Sequence, residues 1–231
     1  PAIKEVQKEL NAIVTDRPVT QEEFDEAVAM AGDHLSLYQL TIERGTPFFR
    51  AERDGAFALP DEDLSVALFE ATQEMTDRAG LPAYEISNHA RPGGECRHNL
   101  VYWTGGDYAG IGPGAHGRVT QGGIVHATEQ IPGPENWIAA VAADGHGTRR
   151  FEALASGVRI EELIMTGLRL AAGIERQGFA ARAGLEIEDA LEPRRLRRLI
   201  DGGFVTLDET GLRTTPDGRL RLNAVLAALM G

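Results

Sequence analysis

A single cysteine among 231 residues excludes an internal disulfide and fits a reducing cytoplasm. Positive charge is also scarce. Lys and Arg total 23 against 35 Asp and Glu, and the resulting net charge of −12 argues against general nucleic-acid or anionic-membrane binding. No apolar run approaches the ~20 residues that span a bilayer, and no signal peptide is visible at the N-terminus. What is present is ordinary for a soluble globular protein, 42% hydrophobic and 25% charged residues, and the length suits one large domain or two small ones; together these features predict a soluble, cytoplasmic chain.

Residues 1–17 space Ile3, Val6, Leu10 and Ile13 at helical intervals. Thr20 with Glu23 reads as a capping box opening a helix over Gln21–Met30. His34–Ile42 reads as a strand, and Asp61–Ala79 as a helix with a buried stripe of Leu64, Ala67, Leu68, Ala71 and Met75. Ala83–Ile86 reads as the next strand, which completes a βαβ unit and predicts a parallel sheet. Tyr108–Ile111 adds a third strand, residues 119–127 a hairpin around Gly122-Gly123, and Pro134–Ala143 a short helix. Beyond Arg149 the pattern becomes helical, with helices at Arg159–Ala172, Arg176–Ala183 and Pro193–Asp201. A hairpin of Phe204–Leu207 and Leu212–Thr215 follows, then a closing helix over Asp217–Met230, which is a winged-helix-like order. We therefore expect a domain boundary near 150, dividing residues 1–150 from 151–231. Arg194, Arg195, Arg197 and Arg198 read as a solvated helix face rather than a nucleic-acid patch.

Polar chemistry concentrates in Tyr84–Gly117, YEISNHARPGGECRHNLVYWTGGDYAGIGPGAHG. Gly110-x-Gly112-x-x-Ala115 resembles a dinucleotide fingerprint, but no helix opens after it, as phosphate binding requires. Its glycines instead predict a close approach of backbone to a flat ligand or to another strand. Cys96-x-His98, with His89 and His116 as further candidates, falls short of a recognisable zinc spacing. His98-Asn99-x-x-Tyr102-Trp103 is the densest polar-aromatic cluster. It reads either as a loop pinned by a buried indole, or as an imidazole beside aromatic faces that stack on a planar ligand. Glu43 and Glu85 fall at or near predicted strand ends, where parallel-sheet enzymes place reactive groups.

HLSLYQLTIERGTPFF, the Tyr84–Gly117 stretch and EELIMTGLRLAAGI occur in one order. Together they resemble the oxygen-independent coproporphyrinogen III oxidase-like group of radical SAM proteins, and the HNxxYW element resembles its heme-chaperone, HemW-like branch. The resemblance implies an α/β fold: part of a (β/α) barrel with parallel strands, plus a C-terminal helical, winged-helix-like domain. It implies a [4Fe–4S] cluster and S-adenosylmethionine as family cofactors, with Gln39, Thr41, Gly112, Ala115 and His116 lining the S-adenosylmethionine pocket. It implies that His98, Asn99, Tyr102 and Trp103 contact heme or a porphyrin, with heme iron ligated through His98 and hemoproteins as clients.

The chain departs from the family where the cluster is held. The family's C-x3-C-x2-C is missing, and Cys96 stands elsewhere, so we expect neither cluster nor metal to be held by this chain and no radical chemistry from it alone. The expectation is a truncated piece with self-association through an exposed half-barrel edge. Oxidative decarboxylation of coproporphyrinogen III and a non-catalytic binding module are the competing functions.

Overall fold

The computed structural model describes residues 21–231, with the side chain of Gln21 excepted. The helix expected within 1–17 and the Thr20 cap lie outside the described residues. The described chain divides into two compact units, residues 21–83 with 87–94, and Tyr84–Ile86 with Glu95–Gly231. The architecture is mixed α/β, and among the described residues every strand pairing is antiparallel.

In the first unit α1 spans Gln21–Ala31, β1 His34–Ser36, α2 Pro47–Arg53, α3 Glu62–Arg78 and β2 Asn88–Ala90. Local chemistry sets the helix starts. Asp61 accepts the Leu64 amide at 2.8 Å to open α3, and Thr46 accepts that of Phe49 at 3.2 Å ahead of Pro47. The long strand His34–Ile42 is corrected to three residues, and Ala83–Ile86 is not a strand. β2 follows it and runs antiparallel to β1, with Leu35 opposite His89. The reason lies in the turn. The Ala90 amide donates to Pro82 at 3.1 Å and Ala83 bridges His89, so the residues between them form a bend, and pairing with β1 resumes at Ser87, whose carbonyl accepts the Leu37 amide at 2.8 Å. The expected stripe of α3 is corrected too: Leu64 and Leu68 are exposed, and Thr76 is its one buried residue. Met30, Tyr38 and Leu40 are exposed as well.

In the second unit α4 spans Arg97–Trp103, β3 His116–Gln121, β4 Ile124–Gln130, α5 Pro134–Asp144 and β5 Thr148–Ala153. Then come α6 Ser156–Gly167, β6 Ile174–Glu175, α7 Arg176–Ala183, α8 Ile187–Ala190, α9 Pro193–Asp201, β7 Val205–Leu207, β8 Gly211–Thr214, α10 Pro216–Leu220 and α11 Leu222–Met230. β3, β4 and β5 form a meander, and β6-β8-β7 a second small sheet. Tyr108–Ile111 reduces to one bridge, Tyr108 to Arg118. A Cβ at Gly110 would strike the His116 backbone, so its glycine serves strand contact rather than a ligand.

One apolar cluster holds this unit together. Leu163, Leu168, Phe179, Ile187, Leu212 and Val225 are among its buried members, drawn from α6 through α11. α9 turns Leu196 and Leu199 into it and leaves its four arginines exposed, the solvated face expected. The closing helix is broken at Arg221, whose φ is −114°, and in its first part Gly218 packs on the Phe204 carbonyl, too close for any Cβ.

Candidate functional site

The HNxxYW residues lie on α4, not on a loop. Sequence patterning gave no helix signal there: seven residues, rich in aromatic and branched side chains, with no side-chain bond from Cys96 at the cap. Tertiary contacts hold it instead, and they divide the motif by helical spacing. Residues four apart share a face, so Asn99 pairs with Trp103 and His98 with Tyr102.

The Asn99–Trp103 face is anchored. Asn99 Nδ2 donates to the Tyr84 hydroxyl at 3.0 Å, and burial pushes that phenol above its ordinary value against the pull of this bond. The Arg169 guanidinium sits over the Trp103 ring, 4.7 Å from its centroid, in cation–π geometry. The bend Tyr84–Ile86 completes the anchor. The Ala171 amide donates to the Tyr84 carbonyl at 2.9 Å, Glu85 is 1% exposed with Arg169 3.7 Å away, and Ile86 packs on the core cluster.

The other face is open. His98 is exposed, and its Nε2 lies 3.2 Å from the Tyr102 hydroxyl, with the rings edge to face at 4.7 Å. Tyr102 in turn meets Tyr108 edge to face at 4.3 Å. Burial pushes the Tyr108 phenol upward, while Arg118 opposes it. A neutral imidazole has one nitrogen with a hydrogen and one with a lone pair. With the tyrosine holding Nε2, the ring is oriented and still reachable from solvent.

A third set of contacts fixes the end of α4. Buried Arg159 donates to the Gly105 carbonyl, and a Cβ at Gly105, whose φ is 68°, would run into Leu163 and Arg159. Glu162 lies 3.8 Å from Arg159 and accepts a two-pronged bond from Arg118 at 3.1 and 2.6 Å. Beside Trp103 and Thr104 a cleft of about 260 Å³ runs along Leu163, Leu170, Ile174 and Phe179, with Arg182 among its lining residues. Sequence reasoning named Glu85 but missed Tyr108, Arg159 and Arg169, whose roles arise only from non-local packing.

The S-adenosylmethionine candidates divide between the units. In the first, Gln39 is exposed and donates to the Ser65 carbonyl at 2.8 Å, and Thr41 is exposed without regular structure. In the second, the Ala115 amide closes a turn on the Gly112 carbonyl at 3.2 Å, and exposed His116 has Nε2 3.9 Å from Glu129. Of the two carboxylates, Glu43 is exposed and Glu85 buried. Among the described residues no three His, Cys, Asp or Glu side chains form a metal-binding group. One cysteine cannot supply the three thiolates of a [4Fe–4S] site, so the residues present do not fit that cluster. Among the described residues no helix is long and apolar enough to cross a membrane.

Comparison with known proteins gives a consistent kinship. Residues 154–221 match the HemN C-terminal domain family. The heme chaperone HemW of Escherichia coli is 36% identical over 202 residues, covering 87% of this chain and 50% of that protein. HemW of Bacillus subtilis is 32% identical over 205 residues, covering 89% and 53%. The mouse mitochondrial radical S-adenosyl methionine domain-containing protein 1 is 39% identical over 204 residues, covering 86% and 46%. The structure of E. coli coproporphyrinogen III oxidase (HemN), described as a radical SAM enzyme, aligns with a TM-score of 0.64 at 18% identity, over 90% of this chain and 50% of that one. At that identity the likeness is one of fold. The chain spans about half the length of the curated relatives it matches. Over the half of their length that it spans, it is similar to the HemW-like branch of the radical SAM family.

Proposed function

We propose that this chain is the heme-handling part of a heme chaperone, binding heme on the open face of α4 and passing it to client hemoproteins. The observation that carries the reading is His98: exposed, oriented by Tyr102, and mounted on a helix pinned from its opposite face. Its role is to offer an imidazole nitrogen to the heme iron, while Tyr102 sets the ring's orientation and Tyr108 backs the tyrosine. Asn99 and Trp103 act from behind, as supports of the helix. Heme titration followed by the Soret band tests this. We expect His98→Ala to bind at least ten-fold more weakly with an altered spectrum, the loss of one coordinate bond being worth more than ~1.4 kcal/mol. Identical affinity and spectrum would remove His98 from the site.

The same reading carries the finer architecture. Residues 1–150 belong to a partial barrel and 151–231 to a winged-helix-like C-terminal domain. The match at 154–221 supports the second, and the exposed apolar side chains Leu64 and Leu68 suit a face that further barrel would cover. Self-association through that face is the alternative. Gln39, Thr41, Gly112, Ala115 and His116 are assigned to S-adenosylmethionine, which supplies radical chemistry only beside a cluster whose thiolates this chain does not contain. The location is cytoplasmic, and cell fractionation distinguishes this from a mitochondrial one. An oxidase acting on coproporphyrinogen III is the second reading, favoured by the fold likeness to HemN. Anaerobic turnover separates them, because a chaperone yields no decarboxylated product.

A further inference from the structure

β5 closes one side of the β3-β4-β5 meander: it pairs with β4 along one edge and, among the described residues, with no strand along the other. Arg149 to Ala153 are all exposed. The ladder decides which main-chain groups face outward. The Leu154 amide donates to the Val125 carbonyl at 2.8 Å, and Ala127 stands opposite Glu152 and Glu129 opposite Arg150. Bonding alternates along an antiparallel strand, so Arg150 and Glu152 turn their N–H and C=O towards β4. Phe151 and Ala153 turn theirs to the open edge. The one irregularity of this ladder lies between Glu129 and Gln130, opposite the start of β5, and leaves the stretch beyond Arg150 regular.

An open edge invites another strand, and proteins commonly blunt it with proline, lysine or a bulge. Arg150-Phe151-Glu152 carries none of these. Its charges are opposite in sign and flank an aromatic ring. Arg150 and Glu152 lie on one face of the sheet, 2.7 Å apart, with 52% and 62% of their side chains exposed. Phe151 lies on the other face, 49% exposed and stacked on His126 with 4.5 Å between ring centroids. Such a strand is its own complement. About a two-fold axis at Phe151, an antiparallel copy sets Phe151 opposite Phe151, and the two exchange their outward main-chain bonds. Each Arg150 then stands opposite the copy's Glu152, at the non-hydrogen-bonded positions where side chains approach most closely. Any extended peptide could meet the same amides, but a second copy of this chain necessarily matches Arg150 with Glu152 twice.

We propose that the outer edge of β5 is a homodimer interface: two copies of this chain join edge to edge, antiparallel and in register about Phe151, so that their two meanders form one continuous sheet. The contact is isologous and closes on itself, so it yields dimers and not fibres. It shares no residue with α4 or with the exposed Leu64 and Leu68, and it stands whether or not the chain binds heme.

The test is sedimentation equilibrium of the whole chain from micromolar to near-millimolar concentration. A strand of 6 residues offers little beside the roughly 1,200–2,000 Å² of a stable interface, so the dimer should be weak and its fraction should rise with concentration. Arg150→Glu and Glu152→Arg, each alone, set like charges opposite one another twice and should weaken association at least about ten-fold. Mixed in equal amounts, these two proteins should associate with each other as well as the wild type does, because every cross-strand pair is again of opposite sign. The doubly substituted protein should associate with itself for the same reason. Both side chains are exposed, so the fold should survive, as circular dichroism checks. Ala153→Pro removes an outward amide without touching the bonds to β4, and should also weaken the dimer. A wild type that stays monomeric throughout overturns the interface, as does a mixture of the two single variants that fails to re-associate. A dimer that the single substitutions leave intact overturns it too, and assigns association to another face such as that of Leu64 and Leu68. Slow hydrogen exchange of the Phe151 and Ala153 amides in a monomeric wild type would show the edge covered by the chain itself.

Discussion

Helix α4 presents two faces that differ in how they are held. On one, Asn99 and Trp103 are tied to Tyr84 and Arg169, above a bend whose Ile86 packs on the main core. On the other, His98 and Tyr102 touch each other and Tyr108, and His98 looks into solvent. Seven residues without a side-chain cap do not make a stable helix in water, so the anchored face is what makes the helix exist. The open face is then free to spend its side chains on a ligand. A run of four characteristic residues thus need not be four ligand contacts. Two can serve the fold and two the chemistry.

If that division is right, substitutions on the two faces separate stability from binding. The largest loss of stability should follow Trp103→Ala, about 3 kcal/mol by urea unfolding, since the indole fills the space beneath Arg169. Trp103→Phe should be close to neutral, because it keeps a ring and removes a buried N–H that has no partner. Gly105→Ala should cost about 2 kcal/mol, combining a positive φ with a Cβ that meets Leu163. Asn99→Ala should cost about 1 kcal/mol through the lost bond to Tyr84.

A remote site sharpens the comparison. Asp208, in the β7–β8 turn, is pulled from 3.8 to about 2, first by the Thr210 hydroxyl and amide and then by the Gly211 amide and Arg213. A carboxyl whose folded value is depressed stabilises the fold above its unfolded value and loses that contribution as pH falls through the folded one. Stability should therefore decline between pH 3.8 and about 2. Asp208→Asn should flatten this decline and leave heme affinity unchanged. Smallest of all in stability, His98→Ala should stay within about 0.5 kcal/mol of wild type, as exposed substitutions do.

Legibility of the sequence follows the same line between local and non-local causes. α9 was readable to the residue, because Pro193 opens it and Leu196 and Leu199 repeat at helical spacing. The β3–β4 hairpin was readable because Gly122 and Gly123 both take positive φ in its turn. His34–Ile42 reads as a strand, but its β-prone residues form a ladder only over His34–Ser36, with one further bond from the Leu37 amide to the Ser87 carbonyl. Ala83–Ile86 looked equally extended, but Tyr84, Glu85 and Ile86 are drawn as a bend into the second unit by Asn99, Arg169 and the core. The apolar stripe of α3 has the right period and yet stays exposed, because periodicity states which face can be buried and not whether anything covers it. Of the site, His98 and Tyr102 were visible as chemistry in the sequence. Arg159, Arg169 and Tyr108 were not, since a guanidinium or ring acquires its role only from what the fold sets beside it.

The most direct measurement is a paired one on His98→Ala: Soret-monitored heme titration alongside urea unfolding of the same protein. The account predicts at least a ten-fold loss of heme affinity with an unchanged unfolding midpoint. Wild-type heme affinity and spectrum, or a midpoint that falls as far as that of Asn99→Ala, would contradict it.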